Sequence, residues 1–425
     1  MKAIIDCNNF YCSCERLFRP ELRNKSVVVL SNNDGCIVSR SDEAKEAGGP
    51  MAAPFFESKS LITFHDIAVF SSNYNLYGDL SWRVMETLRM IAGKENVEVY
   101  SVDEAFVDLS AVPIKELPAA AGEIKKTVEM WTGISVSIGV APTKTLAKLA
   151  NYIAKKNKKV SGCITVLATR QEQQKALQQT RLESIWGIGR AYVHKLYNMG
   201  IFSAWELASM PNHWMYKNMG GVVGSRLLKE LNGEPAIDMK GELVQKKMIA
   251  TTRMFGNPVG DITLIREAVA TYTSRAAEKL RRQHCAAKTI SVFVVEKDED
   301  HSVNYYEATC SDSFTLPAAT SFTNELIKPA IGLVDRLYNP KKLYKKAGVM
   351  LSGIVPDTSI QGNLFLSEPK NCERKLMDMI DNVNFSQRND VLKFAASGTV
   401  RNWKMQQNFI SKRYTTRWNE LFEVS

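Results

Sequence analysis

A chain of 425 residues that alternates short apolar strand-like runs with amphipathic helical stretches reads as a multidomain α+β protein. Three observations carry that reading. The length exceeds what one ordinary hydrophobic core holds, so roughly two to four domains are expected. The first part orders its elements as strand, helix, hairpin, helix, strand, the split βαβ arrangement of ferredoxin-like sheets. A polar, charged stretch from Ile237 to Lys247 then reads as a linker before a second alternation of strands and helices.

The bulk composition narrows the classes further. At 45% apolar and 24% charged residues the chain is globular, and its formal net charge of +10 favours polyanionic partners. Eight cysteines contain no C-x-x-C pair, and Cys12-Ser-Cys14 lacks a matching pair or nearby histidine, so reduced thiols are expected rather than a zinc module. No apolar run approaches the ~18 residues of a membrane span, and Met1–Asp6 does not read as a signal peptide. A cytoplasmic protein is the expectation.

Taken in order, Lys2–Asp6 is a short strand that ends on a carboxylate, followed by a turn and the aromatics Phe10 and Tyr11. Ser26–Ser31 is a buried-strand run, and Asn32–Gly35 is strong turn chemistry. Ser41–Ala47 reads as a helix capped by Ser41 or Asp42 and stopped by Gly48-Gly49. Leu80, Val84, Leu88 and Ile91 recur at helical spacing, as do Ile124, Val128 and Trp131. Between them, Val97–Leu109 forms two apolar arms that meet at Asp103 and Glu104, with Val97, Val99 and Ser101 on one face. Ser135–Val140 is a further strand, and Pro142–Ala150 opens a helix with its proline near the first turn.

This order lets the first strand lie beside the hairpin, bringing Asp6 next to Asp103 and Glu104. Two adjacent acids at a turn are equally a solvated tip, but three converging carboxylates suit a divalent cation. Mg²⁺ takes carboxylate oxygens and leaves room for substrate phosphates. Lys155 follows the last strand of this set within reach of a triphosphate, whereas Lys156 to Lys159 read as a solvated loop.

Glu183–Arg190 and Ala191–Tyr197 have the form helix, Gly-Ile-Gly hairpin, helix. Gly187 and Gly189 would let backbone N–H groups ahead of Arg190 approach a phosphate without reading a base. Ile188 and Leu196 would seal the two helices. Gly220–Gly224 is either a poorer second copy or, preferably, a loop leading into a packing helix; His194 reads as a helix-surface residue. Beyond the linker, strands at Met248–Met254, Thr289–Val295 and Lys345–Leu351 alternate with helices at Asp261–Arg282 and Ser321–Tyr338. They read as two βαβ-like halves, with Lys279, Arg281 and Arg282 on a solvated face. Ile360–Phe365 matches the Q-x-x-L-F peptide that processivity clamps receive, with Gln361 at the rim and Leu364 and Phe365 as anchors. Leu376–Val383 is an amphipathic helix. Phe394–Gly398, Trp403–Met405 and Ser411–Trp418 follow, the last interleaving basic and aromatic residues, either as a packing unit or as in single-strand binders.

Asp6 with Phe10-Tyr11, Asn33–Val38, Ser101–Glu104 and Ser137–Lys144 together resemble the motifs of Y-family translesion DNA polymerases, in that family's order. The resemblance covers essentially the whole chain, and the C-terminal stretches resemble the UmuC-type branch. It implies a ferredoxin-like palm with fingers at 1–165 (fingers about 22–76) and a helix-hairpin-helix thumb at 166–235. An α+β little finger at 236–350 and a clamp-binding peptide with a C-terminal extension at 351–425 would follow. It also implies two Mg²⁺ ions held by Asp6, Asp103 and Glu104 with the Cys7 carbonyl. Tyr11 would be the steric gate against a 2′-hydroxyl, Phe10 would offer its amide to the phosphates, and Lys155 would contact the triphosphate. Arg253, Lys345 and Lys346 would meet the template backbone, alongside Gly187, Gly189 and Arg190.

Much of the family grips the triphosphate with a Tyr and an Arg where this chain has Asp42 and Lys45. Lys45 keeps a charge without the bidentate fork of Arg, so Ser39 or Arg40 is expected to compensate. The implied activity is low-fidelity, template-directed synthesis from dNTPs without proofreading, in the SOS response to DNA damage. Implied partners are primed DNA, a sliding clamp, a UmuD-like accessory dimer and a RecA filament. Two rivals are a palm-type nucleotidyl cyclase, which needs neither Tyr11 nor the Gly-Ile-Gly hairpin, and a non-catalytic DNA-binding scaffold, for which loss of an acid would be expected.

Overall fold

The N-terminal strand lies at the middle of a five-stranded sheet in the computed structural model, which describes residues 1–241, 246–297, 308–362, 371–387 and 390–422. The residues divide into two units. One comprises Met1–Ser31, Gly35–Val244 and Phe409–Ser425, and the other Asn32–Asp34 and Gln245–Asn408.

The first unit begins with β1 (Lys2–Cys7), α1 (Phe10–Leu17), β2 (Val27–Leu30), β3 (Ile37–Arg40), α2 (Asp42–Glu46), α3 (Phe55–Phe64), β4 (Ala68–Ser71) and α4 (Tyr74–Ala92). It continues with β5 (Val97–Val99), β6 (Glu104–Asp108), α5 (Leu117–Thr132), β7 (Val136–Ala141), α6 (Lys144–Lys156), α7 (Lys158–Ser161) and β8 (Ile164–Val166). A helical region follows: α8 (Arg170–Gln178), α9 (Arg190–Asn198), α10 (Ala204–Ala208), α11 (Asn212–Asn218) and α12 (Val222–Leu231).

The large sheet runs β5-β6-β1-β7-β8, and β1 is antiparallel to both neighbours. Without β8 this is the ferredoxin-like order expected from the sequence of elements. Period-two alternation assigns each face its core. Ala3, Ile5 and Cys7 pack with Leu80, Val84, Leu88, Ile124 and Val128 of α4 and α5. Ile4 and Phe106 instead join Leu146, Leu149 and Ala150 of α6 and the apolar residues of the helical region. A separate three-stranded sheet, β3-β2-β4, buries Val28, Leu30 and Ile37 against Ile62 of α3.

Several expectations need correction. The buried stripe of α5 ends on Thr132, while Trp131 is exposed, because a 3.6-residue period drifts off the spacing assumed for it. In β5, Val97 is buried as expected, but Glu98 is buried too and Val99 is exposed. Glu98 is turned inward by an ion pair with Lys144 and accepts from the Lys240 amide at 2.9 Å. Pro142 precedes the α6 cap rather than entering the helix, and Thr143 caps it by accepting from the Leu146 amide. The start of the expected linker is fastened: the Ala236 and Ile237 amides donate to Glu230, and Lys144 donates to the Asp238 carbonyl.

The second unit contains β9 (Ile249–Val259), α13 (Ile262–Arg281), β10 (Cys285–Glu296), β11 (Thr309–Thr320), α14 (Thr323–Leu337), β12 (Tyr344–Pro356) and α15 (Asn371–Ser386). Its sheet, β11-β10-β12-β9, is antiparallel throughout, which replaces the two βαβ-like halves. The strand that sequence reading missed, β11, is an edge strand, largely exposed and interrupted by Pro317, so it carries no alternating signal. Arg281 is not on a solvated face. It grips Asp381 of α15 with two nitrogens, each at 2.7 Å, and donates to the Ser321 carbonyl at 2.6 Å. Among the described residues no helix is long and apolar enough to cross a membrane.

The buried Lys144–Glu98 pair yields a stability prediction. Glu98→Ala strands an ammonium in the core and is expected to cost about 3–5 kcal/mol, read as a lowered denaturation midpoint. Glu98→Leu combined with Lys144→Met should recover most of that loss. A wild-type midpoint for Glu98→Ala would show the pair to be solvated.

Candidate active site

Strand pairing gathers the acids. Asp6 stands opposite Glu104 in the β1–β6 register, and the Cys7 amide donates to the Asp103 carbonyl at 2.8 Å. All three acids therefore meet at one end of the two central strands. The hairpin turn is held by Ser101, whose hydroxyl donates to Asp103 Oδ1 at 2.6 Å.

Helix α6 covers this sheet end with a polar stripe. Lys144, Lys148, Asn151 and Lys155 recur at spacings of four, three and four, which places them on one helix face. Lys148 Nζ lies 2.7 Å from Glu104 Oε1, Asn151 Nδ2 donates to Asp6 Oδ2 at 3.1 Å, and Lys155 Nζ lies 2.6 Å from Asp6 Oδ1. The helix comes this close because β7 carries Gly139. A Cβ there would stand 2.2 Å from the Asn151 nitrogen and 2.3 Å from the Ala147 oxygen. Sequence reading missed Lys148, Asn151 and Gly139. The available signal was a run of polar residues at core spacing on a helix whose Leu146, Ala147, Leu149 and Ala150 are buried.

Burial raises the Asp6 carboxyl from 3.8 to about 6; Lys155 opposes that shift and Glu104 adds to it. The buried Cys7 thiol is pushed well up, first by burial and then by Asp6 and Asp103. Among the described residues, no three His, Cys, Asp or Glu side chains stand in ready metal geometry. Two ammonium groups instead occupy oxygens of Asp6 and Glu104. The donor set is all oxygen, which fits a hard divalent cation, and burial leaves the Asp6 carboxylate short of compensating charge despite Lys155.

Tyr11 sits in the first turn of α1, half-buried. Its ring stacks on Tyr77 at 4.6 Å with planes 18° apart and meets Tyr74 edge-on at 6.0 Å. Phe10 is buried in the core behind it. Asp42 is clamped: Asn9 and Lys45 donate to Oδ1 at 3.1 and 2.9 Å, and Lys158 to Oδ2 at 2.5 Å. Partial burial works to raise its carboxyl, but hydrogen bonds from Lys158, Asn9 and Lys45 prevail and hold it well below the usual range. Lys158 thus belongs to an ion pair on a short helix, not to a solvated loop. Ser39 is buried and accepts from Cys12 Sγ at 3.3 Å, while Arg40 donates to the Gly49 carbonyl.

In the helical region, Gly187 has φ 93°, Gly189 caps α9, and both are exposed beside Arg190. Ile188 and Leu196 are buried as expected, and His194 is exposed. The element before the hairpin is only a 3₁₀ turn, Leu182–Ser184. Gly220 and Gly221 form a loop, and Gly224 lets α12 press on α11, where a Cβ would stand 2.5 Å from the Met215 oxygen.

Arg253 and Lys346 of the second unit do not share a sheet face. Arg253 pairs with Ala347 and Lys346 with Met254, so alternation puts Arg253 and Lys346 on opposite sheet faces. Lys346 Nζ lies 5.8 Å over the Phe293 ring, and Lys345 sits at the register shift next to it. Gln361 is exposed, whereas Leu364 and Phe365 lie outside the described residues.

The model of the impB/mucB/samB family matches residues 5–152, that of its C-terminal domain matches 246–364, and that of a domain of unknown function matches 374–424. The protein UmuC of Salmonella typhimurium is 38% identical over 426 residues, covering 100% of both chains. DNA polymerase IV of Oceanobacillus iheyensis is 28% identical over 295 residues, covering 68% of each. A solved Y-family DNA polymerase chimera, Dbh-Dpo4(243-245)-Dbh, superposes with a TM-score of 0.68 at 22% identity, over 84% of this chain and 99% of that one. The α+β fold with its separate second sheet is therefore the fold of those polymerase structures.

The raised Asp6 makes a signed pH prediction. Its folded pKa of about 6 exceeds the ordinary 3.8, so its contribution to stability is present below that ordinary value and is lost as pH rises through 6. In metal-free buffer, Asp6→Asn should raise the denaturation midpoint over wild type above about pH 6 and lose that advantage near about pH 4. Parallel pH profiles for the two proteins would contradict it.

Proposed function

From the premise that the chain belongs to the impB/mucB/samB family of Y-family DNA polymerase homologues, we propose that it extends a primer past damaged template bases. Synthesis would be template-directed and of low fidelity, without proofreading, in the response to DNA damage. The observation that carries this reading is the meeting of Asp6, Asp103 and Glu104 at one end of β1 and β6, one turn of chain from Tyr11.

Asp6, Asp103, Glu104 and the Cys7 carbonyl are the residues that would hold two Mg²⁺ ions. Bound there, such ions would lower the pKa of the primer 3′-hydroxyl and offset charge on the departing pyrophosphate. Asp6 is already buried and aimed by Asn151, and Lys148 orients Glu104. Lys155 would turn from Asp6 toward the incoming triphosphate, the Phe10 amide would meet the same phosphates, and the Tyr11 ring would fill the space of a 2′-hydroxyl. Asp42 would order Lys45 and Lys158 rather than touch phosphate, because three donors already satisfy it. With Ser39 and Arg40 engaged elsewhere, those two lysines are the cations left to replace the family's arginine.

In this reading residues 1–165 are palm and fingers, 166–235 the thumb, 236–350 the little finger, and 351–425 the clamp peptide and extension. Gly187, Gly189 and Arg190 would hold template phosphates through backbone N–H groups, without sequence preference. Arg253, Lys345 and Lys346 would meet the duplex, Arg253 and Lys346 from different sheet faces. Gln361, Leu364 and Phe365 would engage a sliding clamp, and a UmuD-like dimer and a RecA filament would complete the working assembly.

The decisive experiment is primer extension across one abasic site, with and without accessory proteins. Asp103→Ala should lower extension by at least about a hundredfold, as expected for losing several kcal/mol of charge stabilisation. Undiminished extension by Asp103→Ala, or dNTP turnover indifferent to primed template, would overturn the polymerase reading. Separately, Leu364→Ala with Phe365→Ala should weaken clamp binding measured by calorimetry; an unchanged dissociation constant would make the peptide a coincidence.

A further inference from the structure

Residues 409–414 return to the first unit and close onto α1 and α4, the two helices that carry Tyr11 and Tyr77. Phe409 pairs with Ser71 at the end of β4: its amide donates to Ser71 Oγ at 2.9 Å, and its carbonyl accepts from the Ser71 amide at 3.0 Å. Asn73 caps α4 with its side-chain oxygen and donates its Nδ2 to Ser411 Oγ at 3.0 Å and to the Ser411 carbonyl at 3.1 Å. Tyr414, buried, stacks on Phe18 just past α1 at 4.7 Å.

At the centre of this contact is Glu15, fully buried on α1. It lies four residues from Tyr11, on the same helix face. Glu15 Oε1 accepts from Tyr77 Oη at 2.6 Å and from Ser411 Oγ at 3.0 Å, while Oε2 has no hydrogen-bond partner. Tyr77 is itself fully buried, and its ring is the one stacked on Tyr11. Burial pushes the Glu15 carboxyl up to about 7, and the hydroxyls of Tyr77 and Ser411 are what hold it down. The links run without a gap: Ser411 to Glu15, Glu15 to the Tyr77 hydroxyl, the Tyr77 ring to the Tyr11 ring.

We propose that the 409–414 segment is a positioning strap, in which Ser411 fixes Tyr77 through Glu15 and so sets the Tyr11 ring that excludes ribonucleotides. This rests on the reading of Tyr11 as the sugar gate. It gives part of a region that matches a domain of unknown function a specific task, sugar discrimination, exerted through Tyr77 and Tyr11. A ring stacked face to face can slide along its partner at small cost unless the partner is fixed at its far end. The Tyr77 hydroxyl is that far end, and it shares the Glu15 Oε1 acceptor with Ser411, which Asn73 holds in turn.

The test uses the full-length chain on primed template with a dideoxy-terminated primer, so that binding is read without turnover. The dissociation constants of dGTP and GTP opposite a template cytosine give a discrimination ratio. Ser411→Ala should lower that ratio about two- to tenfold, the range of one lost hydrogen bond, mainly by tightening GTP. Ser411→Thr, which keeps the hydroxyl, should restore it. Tyr77→Phe, which keeps the stacked ring and removes only the far-end hydroxyl, should lower it as Ser411→Ala does, and it carries the test if Ser411→Ala does not fold. A merely structural strap would lower the melting temperature and weaken both nucleotides equally, leaving the ratio at its wild-type value; that result for both variants overturns the proposal. Tyr11→Ala separates the two failures. If it lowers the ratio while Ser411→Ala and Tyr77→Phe do not, the strap alone is wrong; if it leaves the ratio unchanged, the gate reading falls and the strap with it.

Discussion

A helix can rest directly on a strand only where the strand has nothing to put between them, and Gly139 supplies that place. Its missing Cβ lets the α6 backbone press on β7, bringing the stripe Lys144, Lys148, Asn151 and Lys155 down onto the sheet. Every acid on that face of the sheet end then finds its partner on this one helix: Glu98, Glu104 and Asp6. The site depends on this single close approach. A side chain at position 139 would lift the stripe, and the buried acids would be left without the groups that neutralise or orient them.

The same stripe shows two ways of using an ion pair. Lys144 and Glu98 are sealed from water, and their value is structural, because neither can leave without stranding the other. Lys155 and Asp6 are less enclosed, and the lysine does not bring the Asp6 carboxyl back to its ordinary range. A carboxylate held charged under burial is a cost to stability that binding of a cation would offset, which is the usual tension between a poised site and a stable one. Asp42 stands at the other extreme, so fully matched by Lys45, Lys158 and Asn9 that its charge is settled.

Where local pattern and tertiary packing agree, the sequence was sufficient. The central strand, the acidic hairpin, the α4 stripe as far as Leu88 and the ferredoxin-like order follow from apolar periodicity, and the pairing of Asp6 with Glu104 follows from that order, whereas Ile91 at the end of the stripe is exposed. It failed where long-range partners overrule the local pattern. Glu98 turns inward because Lys144 waits there, Arg281 is drawn off the solvated face because Asp381 returns from α15, and β11 is unreadable because an exposed edge needs no alternation. The helix partners of the acids were written in α6 as polar residues at core spacing, but their meaning appears only once Gly139 fixes how near the helix lies. Nothing local in Ser411-Lys-Arg-Tyr414 announces that it returns to α1 and α4.

That return has a consequence for the order in which the molecule is made. All three proposed metal acids, and Tyr11 itself, leave the ribosome within the first quarter of the chain, and every residue of the α6 stripe soon after. The hydroxyl that completes the wall behind Tyr11 is added only after the whole second unit has been synthesised. Domains fold as they emerge, N-terminal first, so a nascent chain, or one clipped before Ser411, holds the full set of acids while Glu15 still lacks its Ser411 donor. The wall behind Tyr11 is thus closed only after both units have been made.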